Sequence, residues 1–107
     1  MGTIDSIIVV ERIFSLWDEG EKDDEIIIDS ICTEFNISNN DAESLFELTQ
    51  AGVLRANFIF SGQQYPQSNL NNNPIVKSAI GIRLSKLGRP DLYETIIKKE
   101  KPWWKFW

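Results

Sequence analysis

Residues 36–54, Asn-Ile-Ser-Asn-Asn-Asp-Ala-Glu-Ser-Leu-Phe-Glu-Leu-Thr-Gln-Ala-Gly-Val-Leu, constrain the fold more than any other stretch. Ser38 and Asn40 each carry a side-chain oxygen able to accept from the free N–H groups of a first helical turn. Asn40 has Glu43 three residues on, the spacing of a capping box. Ala42, Leu45 and Leu48 recur at helical intervals, with Phe46 beside them, so the segment predicts a capped amphipathic helix. Gly52 is placed where a left-handed residue would end that helix. Val53-Leu54 then opens an apolar, extended-looking run.

Two further helices are predicted before it. Thr3 can cap a first helix reaching about residue 18, with Ile4, Ile7, Val10, Phe14 and Trp17 as its buried stripe and Ile8 and Ile13 widening it. The carboxylate-rich hinge 19–25 lacks the alternating ligands and distal Glu of an EF-hand, and acid suits a helix start. Asp24 is a candidate N-cap for a second helix to about residue 35, with Ile27, Ile28, Ile31 and Phe35 inward and Cys32 packing as a small hydrophobe. Asn36-Ile37-Ser38 would be the tight turn between the second and third helices.

The second half alternates. In 53–60, Leu54, Phe58 and Phe60 fall on one side of a strand and Val53, Arg55, Asn57 and Ile59 on the other. Residues 61–74 form a polar loop containing Gly62, Pro66 and three consecutive asparagines. Ile80, Ile82 and Leu84 alternate with Gly81 and Arg83 as a returning strand. Ile82-Arg83-Leu84-Ser85-Lys86-Leu87-Gly88-Arg89 then runs into a final helix, for which Ser85 can be the cap. Pro90 is tolerated in its first turn.

This order of elements, with the glycine-ended third helix and the Leu-Ser-x-x-Gly-Arg signature, resembles the winged helix-turn-helix proteins, among them small bacterial regulators of the MarR and PadR types. The resemblance covers roughly residues 4–98. It implies an α+β fold: a three-helix helix-turn-helix core, a two-stranded β-wing, and a C-terminal helix whose Leu92, Tyr93, Ile96 and Ile97 dock on the first. One winged-helix domain would occupy residues 1–99, followed by an aromatic tail over 100–107.

That tail ends in Pro102-Trp103-Trp104-Lys105-Phe106-Trp107. Four large aromatics in five residues form an anchor with two candidate seats, the domain itself or a partner or second copy; a membrane interface is the third and weakest, since so short a segment binds it weakly, and no membrane partner is expected.

Chemistry is sparse. With no histidine the usual general base near neutral pH is missing, and so is the commonest transition-metal ligand. A single cysteine makes neither an internal disulfide nor a thiolate zinc site. No glycine-rich phosphate loop or nucleophile elbow is present. The expectation is a non-enzymatic chain with no catalytic residue, cofactor or metal. A 42% hydrophobic content over 107 residues suits one modest core, and the longest apolar run, residues 7–10, is far too short to span a bilayer. Without a signal-peptide pattern, a cytoplasmic location is expected.

Binding is left. The resemblance implies that the third helix could enter a DNA major groove, reading bases through Asn39, Asn40, Ser44 and Gln50, while wing cations Arg55, Lys77 and Arg83 meet phosphates. The same face, however, carries Glu43 and Glu47, with Asp41 close by, and the formal net charge is −5. At about 1 kcal/mol per close charge pair in water, three carboxylates offset most of what a few wing cations contribute. The acid tips the expectation toward a protein partner or a second copy, as an adaptor or small subunit anchored by Trp103, Trp104, Phe106 and Trp107. A dimeric DNA-binding transcription regulator is the alternative.

Overall fold

A computed structural model describes residues 6–64 and 68–97, with side chains through Thr95. Four helices carry the fold: α1 (Ser6–Asp18), α2 (Asp24–Phe35), α3 (Asn39–Phe60) and α4 (Pro74–Lys86). A 3-10 turn, Asn69–Asn72, precedes α4. A three-residue helix α5 (Pro90–Leu92) continues into a wide π-type turn, Tyr93–Ile97. Among the described residues there is no strand.

The first half follows from its local signals. The Asp23 side chain accepts from Glu25 N and starts α2, one residue earlier than the sequence suggested. Asn36 takes the left-handed conformation (φ 53°) that ends α2, its N–H bonding Cys32 O. Ser38 accepts from Asp41 N at 3.0 Å and so is the cap of α3, where Asn40 lies inside the first turn. Fully buried Val9, Ile13, Ile27 and Ile31 join Phe46 in one core between α1, α2 and the N-terminal half of α3. Each such side chain stabilises the fold by about 1.5–3 kcal/mol relative to exposure. Ile7 and Ile8, expected inside, are 43% and 50% exposed, while Val9 and Leu16 take their places.

The second half overturns the winged-helix expectation. Helix α3 does not stop at Gly52; it runs 22 residues, and the segment read as a first wing strand is its C-terminal half. Thr49, Gly52, Arg55, Ala56 and Ile59 are all buried at three- and four-residue spacing, so one helical face continues straight through the glycine. The returning strand is likewise helical. Val76, Ile80 and Leu84, four residues apart, turn inward from α4 against Ala56 and Ile59. Asn73 caps α4 by accepting from Ile75 N and Val76 N, with Pro74 at its start. The described residues are all-helical, without a β-wing, in place of the expected α+β fold.

Gly52 has a different use from the one its position suggested. A Cβ there would lie 2.5 Å from Ala79 Cβ and 2.6 Å from Val76 O, so the glycine lets the α3 and α4 backbones approach closely. Val10 and Phe14 of α1 pack with Ala79 on the same junction and tie the two cores together. The contacts advance in the same sense along both helices: Leu70 lines a dimple with Leu48 and Ala51, Gly52 meets Val76, and Asn57 bonds Arg83. The connection after α3 therefore doubles back along the helix it has just left.

Arg55 secures that return. It is 5% exposed, and its guanidinium donates to Asn71 Oδ1 at 2.6 Å, Ser68 Oγ at 3.0 Å and Ala51 O at 3.1 Å. Ser85, expected to cap the last helix, sits instead in the final turn of α4, and its carbonyl accepts from Gly88 N. Leu92 and Tyr93 pack on the α3–α4 core, Tyr93 facing Gly81, and not on α1. Thr3, Ile4, the side chains of Ile96 and Ile97, and the boundary between domain and tail lie outside the described residues.

Candidate functional site

The outer face of α3 is the first candidate. Asn39, Asn40, Glu43, Ser44, Glu47 and Gln50 are all exposed and lie along one side of the helix, oriented by the Ser38 cap. Asp41 belongs to the first turn, where the macrodipole favours its charge. Among the described residues the ion pairs join Arg12 with Glu19 and Glu34, Lys86 with Asp18, and Arg89 with Asp91. None involves Asp41, Glu43 or Glu47. Within the described residues, no cation therefore pairs with the negative charge of this face.

Two dimples adjoin it. One, of about 180 Å³, is lined by Ile28 together with Glu25, Asp29, Asn39 and Glu43. The other, of about 330 Å³, lies between Leu48, Ala51 and the 40%-exposed Leu70, with Ser44 and Glu47 on its rim. Since Glu43 and Glu47 are one turn apart, the two dimples share an acidic border.

The cations expected on a wing do not form one surface. Arg55 is sequestered in the loop clamp described above. Lys77 and Arg83 are half-buried on α4, where Arg83 Nε donates to Asn57 Oδ1 at 3.2 Å. The chain is nonetheless polarised: residues 1–54 carry thirteen carboxylates and two cations, residues 55–107 three carboxylates and nine cations.

A larger groove, of about 450 Å³, opens where α1, α3 and α4 meet. Phe14, Trp17, Val53 and the half-exposed Leu54 supply apolar walls. Gln50, Asn57, Asp18, Arg83 and Lys86 supply polar ones. Trp17 is held edge-on to Phe14 (90°, 5.3 Å between centroids) and tilted against Phe46. Lys86 Nζ lies 2.5 Å from Asp18 and 6.0 Å from the Phe14 centroid, so its charge is already engaged. Of these groove residues, sequence reasoning had picked out only Gln50 and Arg83 as site residues. The rest meet only because α1, α3 and α4 pack together, and no local signal marks that.

Reactive chemistry is not concentrated anywhere in the described part. The Cys32 thiol is half-buried and donates to Ile37 O at 2.9 Å. The Asp91 carboxyl is held below its ordinary range chiefly by the hydrogen bond from Arg89, and Arg89 is raised in turn, chiefly by the same hydrogen bond; both groups are at the surface. Among the described residues no group of three or more His, Cys, Asp or Glu is placed to hold a metal ion, and no helix is long and apolar enough to cross a membrane. The tail anchor, Trp103, Trp104, Phe106 and Trp107, lies outside the described residues.

Compared with protein families, characterised proteins and solved structures, the chain matches none.

Proposed function

We propose that the protein is a non-enzymatic helical binding module that docks on another protein through the outer face of α3. It acts in the cytoplasm as an adaptor or small subunit. The observation that carries this reading is the row Glu43, Glu47 and neighbouring Asp41, exposed and outside every described ion pair. A duplex would bring its phosphates against those carboxylates at a cost. A basic protein surface would gain from them and would also fill the apolar dimple beside Leu48 and Ala51. A second reading, a DNA-binding transcription regulator, draws on the α2–turn–α3 unit, whose tight turn supports a helix-turn-helix arrangement.

A duplex titration separates the two. With mixed-sequence and operator-library duplexes at low salt, anisotropy is expected to remain unchanged into the range of about 10⁻⁴ M, the weak end of non-specific binding. A photo-crosslinking side chain at position 47 should then capture protein, whereas the same group at Lys22 should not. Micromolar duplex binding that falls steeply with salt and is abolished by Arg83→Glu would overturn the protein-binding reading in favour of the second.

A further inference from the structure

We infer that the outer face of α3 is covered, in the isolated chain, by the chain's own C-terminal segment, residues 98–107. In this arrangement an aromatic ring of the segment seats between Leu48, Ala51 and Leu70, and its lysines face Glu43 and Glu47. The inference deepens the proposed function by naming what an external partner must displace from that face.

Three observations converge on this occupant. The first is charge: the segment carries Lys98, Lys99, Lys101 and Lys105 against one carboxylate, Glu100, while the face it would meet carries Glu25, Asp29, Glu43 and Glu47. The second is shape and polarity. The 330 Å³ dimple is apolar at Leu48, Ala51 and Leu70 and acidic at its Glu47 rim, which fits an indole followed by an ammonium. The sequence Trp103-Trp104-Lys105-Phe106-Trp107 sets a lysine directly after an indole, with two further aromatics behind it. The third is reach. Ten residues follow Ile97, a span of up to roughly 33 Å when extended. The described structure measures 47 × 30 × 20 Å, and Leu92 and Tyr93 pack on the same α3–α4 core that Leu48 and Ala51 border. A seat on the same molecule is within the length of the chain.

Covering the face this way buries an apolar load that water would otherwise meet, and it brings together charges that the rest of the fold leaves apart. It also makes the segment a competitor of the external partner. Partner and tail bind the same border of Glu43 and Glu47, so the tail sets a threshold that the partner must exceed.

The test is acrylamide quenching of tryptophan fluorescence in the full chain. Trp17, locked between Phe14 and Phe46, is a constant background, so changes report Trp103, Trp104 and Trp107. Reversing two exposed charges with Glu43→Lys and Glu47→Lys should shift the docked-to-free ratio by roughly tenfold toward free. Quenching should rise accordingly, with far-UV circular dichroism unchanged. Adding Lys101→Glu and Lys105→Glu to that variant should restore protection. Equal quenching in the parent and the Glu43→Lys/Glu47→Lys variant would overturn the inference. Protection that appears only as protein concentration rises would overturn it in favour of the tail of a second copy. Neither result depends on an external partner, so crosslinking of protein at position 47 alongside unchanged quenching would leave the proposed function standing while this inference fell.

Discussion

Substituting Gly52 by alanine pits two effects of known size against each other. In an open helix interior the change stabilises by about 0.8–1.0 kcal/mol, because alanine loses less backbone entropy. Here the new Cβ meets Ala79 Cβ at 2.5 Å, Val76 O at 2.6 Å and Ile80 N at 3.2 Å. Two of those three are backbone atoms of α4, which no rotamer change can move aside. The helices must separate by about 1 Å, loosening Val76 and Ile80 against α3, and forced overpacking of this kind costs typically 1–3 kcal/mol. The net expectation is a loss of up to about 2 kcal/mol, on the order of 5–10 °C in Tm for a domain of this size. Gly81 is the internal control. It too lies inside a helix, but its Cβ would rest 3.4 Å from the Tyr93 ring, an ordinary contact. Gly81→Ala should therefore be neutral or stabilising by up to about 1 kcal/mol. Urea and thermal unfolding of the two variants, read by circular dichroism, compare them directly. The double change Gly52→Ala with Ala79→Gly removes the 2.5 Å clash but not the one with Val76 O, so it should recover only part of the loss. If Gly52→Ala instead stabilised the protein as much as Gly81→Ala, the close crossing of α3 and α4 would be refuted.

Arg55→Met keeps much of the side-chain volume but deletes the donors to Asn71, Ser68 and Ala51, and should cost about 2–4 kcal/mol in urea unfolding; no change would mean that the returning loop is not clamped there. Ser38→Ala removes the oxygen that accepts from Asp41 N and should cost about 1 kcal/mol, with Ser38→Asp retaining most of the stability. Asp91 has its carboxyl lowered below the ordinary 3.8 by Arg89, so the stability it adds is present above that value and disappears as pH falls through the lower, folded-state one. Asp91→Asn should accordingly lower Tm slightly at neutral pH, leave it unchanged at a pH below the folded-state value, and so flatten the acid limb of the Tm-versus-pH curve; an equal loss at neutral and at acid pH would argue against titration of this pair as the cause.

Capping chemistry made the first half of the fold readable and misled in the second. The Asn36-Ile37-Ser38 turn and the apolar spacing of α2 and early α3 were plain because each helix end carries its own local partner. Gly52 has the look of a stop because a glycine after an amphipathic run is the commonest helix terminator, yet its backbone is helical and its role is tertiary. Residues 53–60 and 80–84 are short and rich in apolar side chains, and over so few positions a period of 2 and a period of 3.6 share most of their matches. The tie could have been broken locally. Asn73-Pro74 is a helix start of the cap-then-proline kind, and it sits in the stretch assigned to a wing tip. Extending the count across Gly52 would have put 49, 52, 56 and 59 on one face. The helical period survives that extension and the strand period does not.

The proposed binding surface divides along the same line. The α3 face was legible because exposure on an amphipathic helix follows from what the other side buries, and all six expected positions are exposed. Arg55 was not legible, because a cation four residues from a carbonyl reads the same in sequence whether it meets solvent or donates inward to Ala51 O. Its burial has a consequence for function. A phosphate-binding wing would need Arg55, Lys77 and Arg83 on one outward surface, and the fold uses the first to hold a loop and engages the last with Asn57. What is left facing outward near α3 is carboxylate. A ligand for this helix must therefore bring cations of its own, which a basic protein segment does and a nucleic acid does not. Within this chain the cations concentrate in the second half, ending in the lysine- and tryptophan-rich segment. On the proposed reading, the charge division between the two halves is the physical reason for the tail and an external partner to compete for one surface.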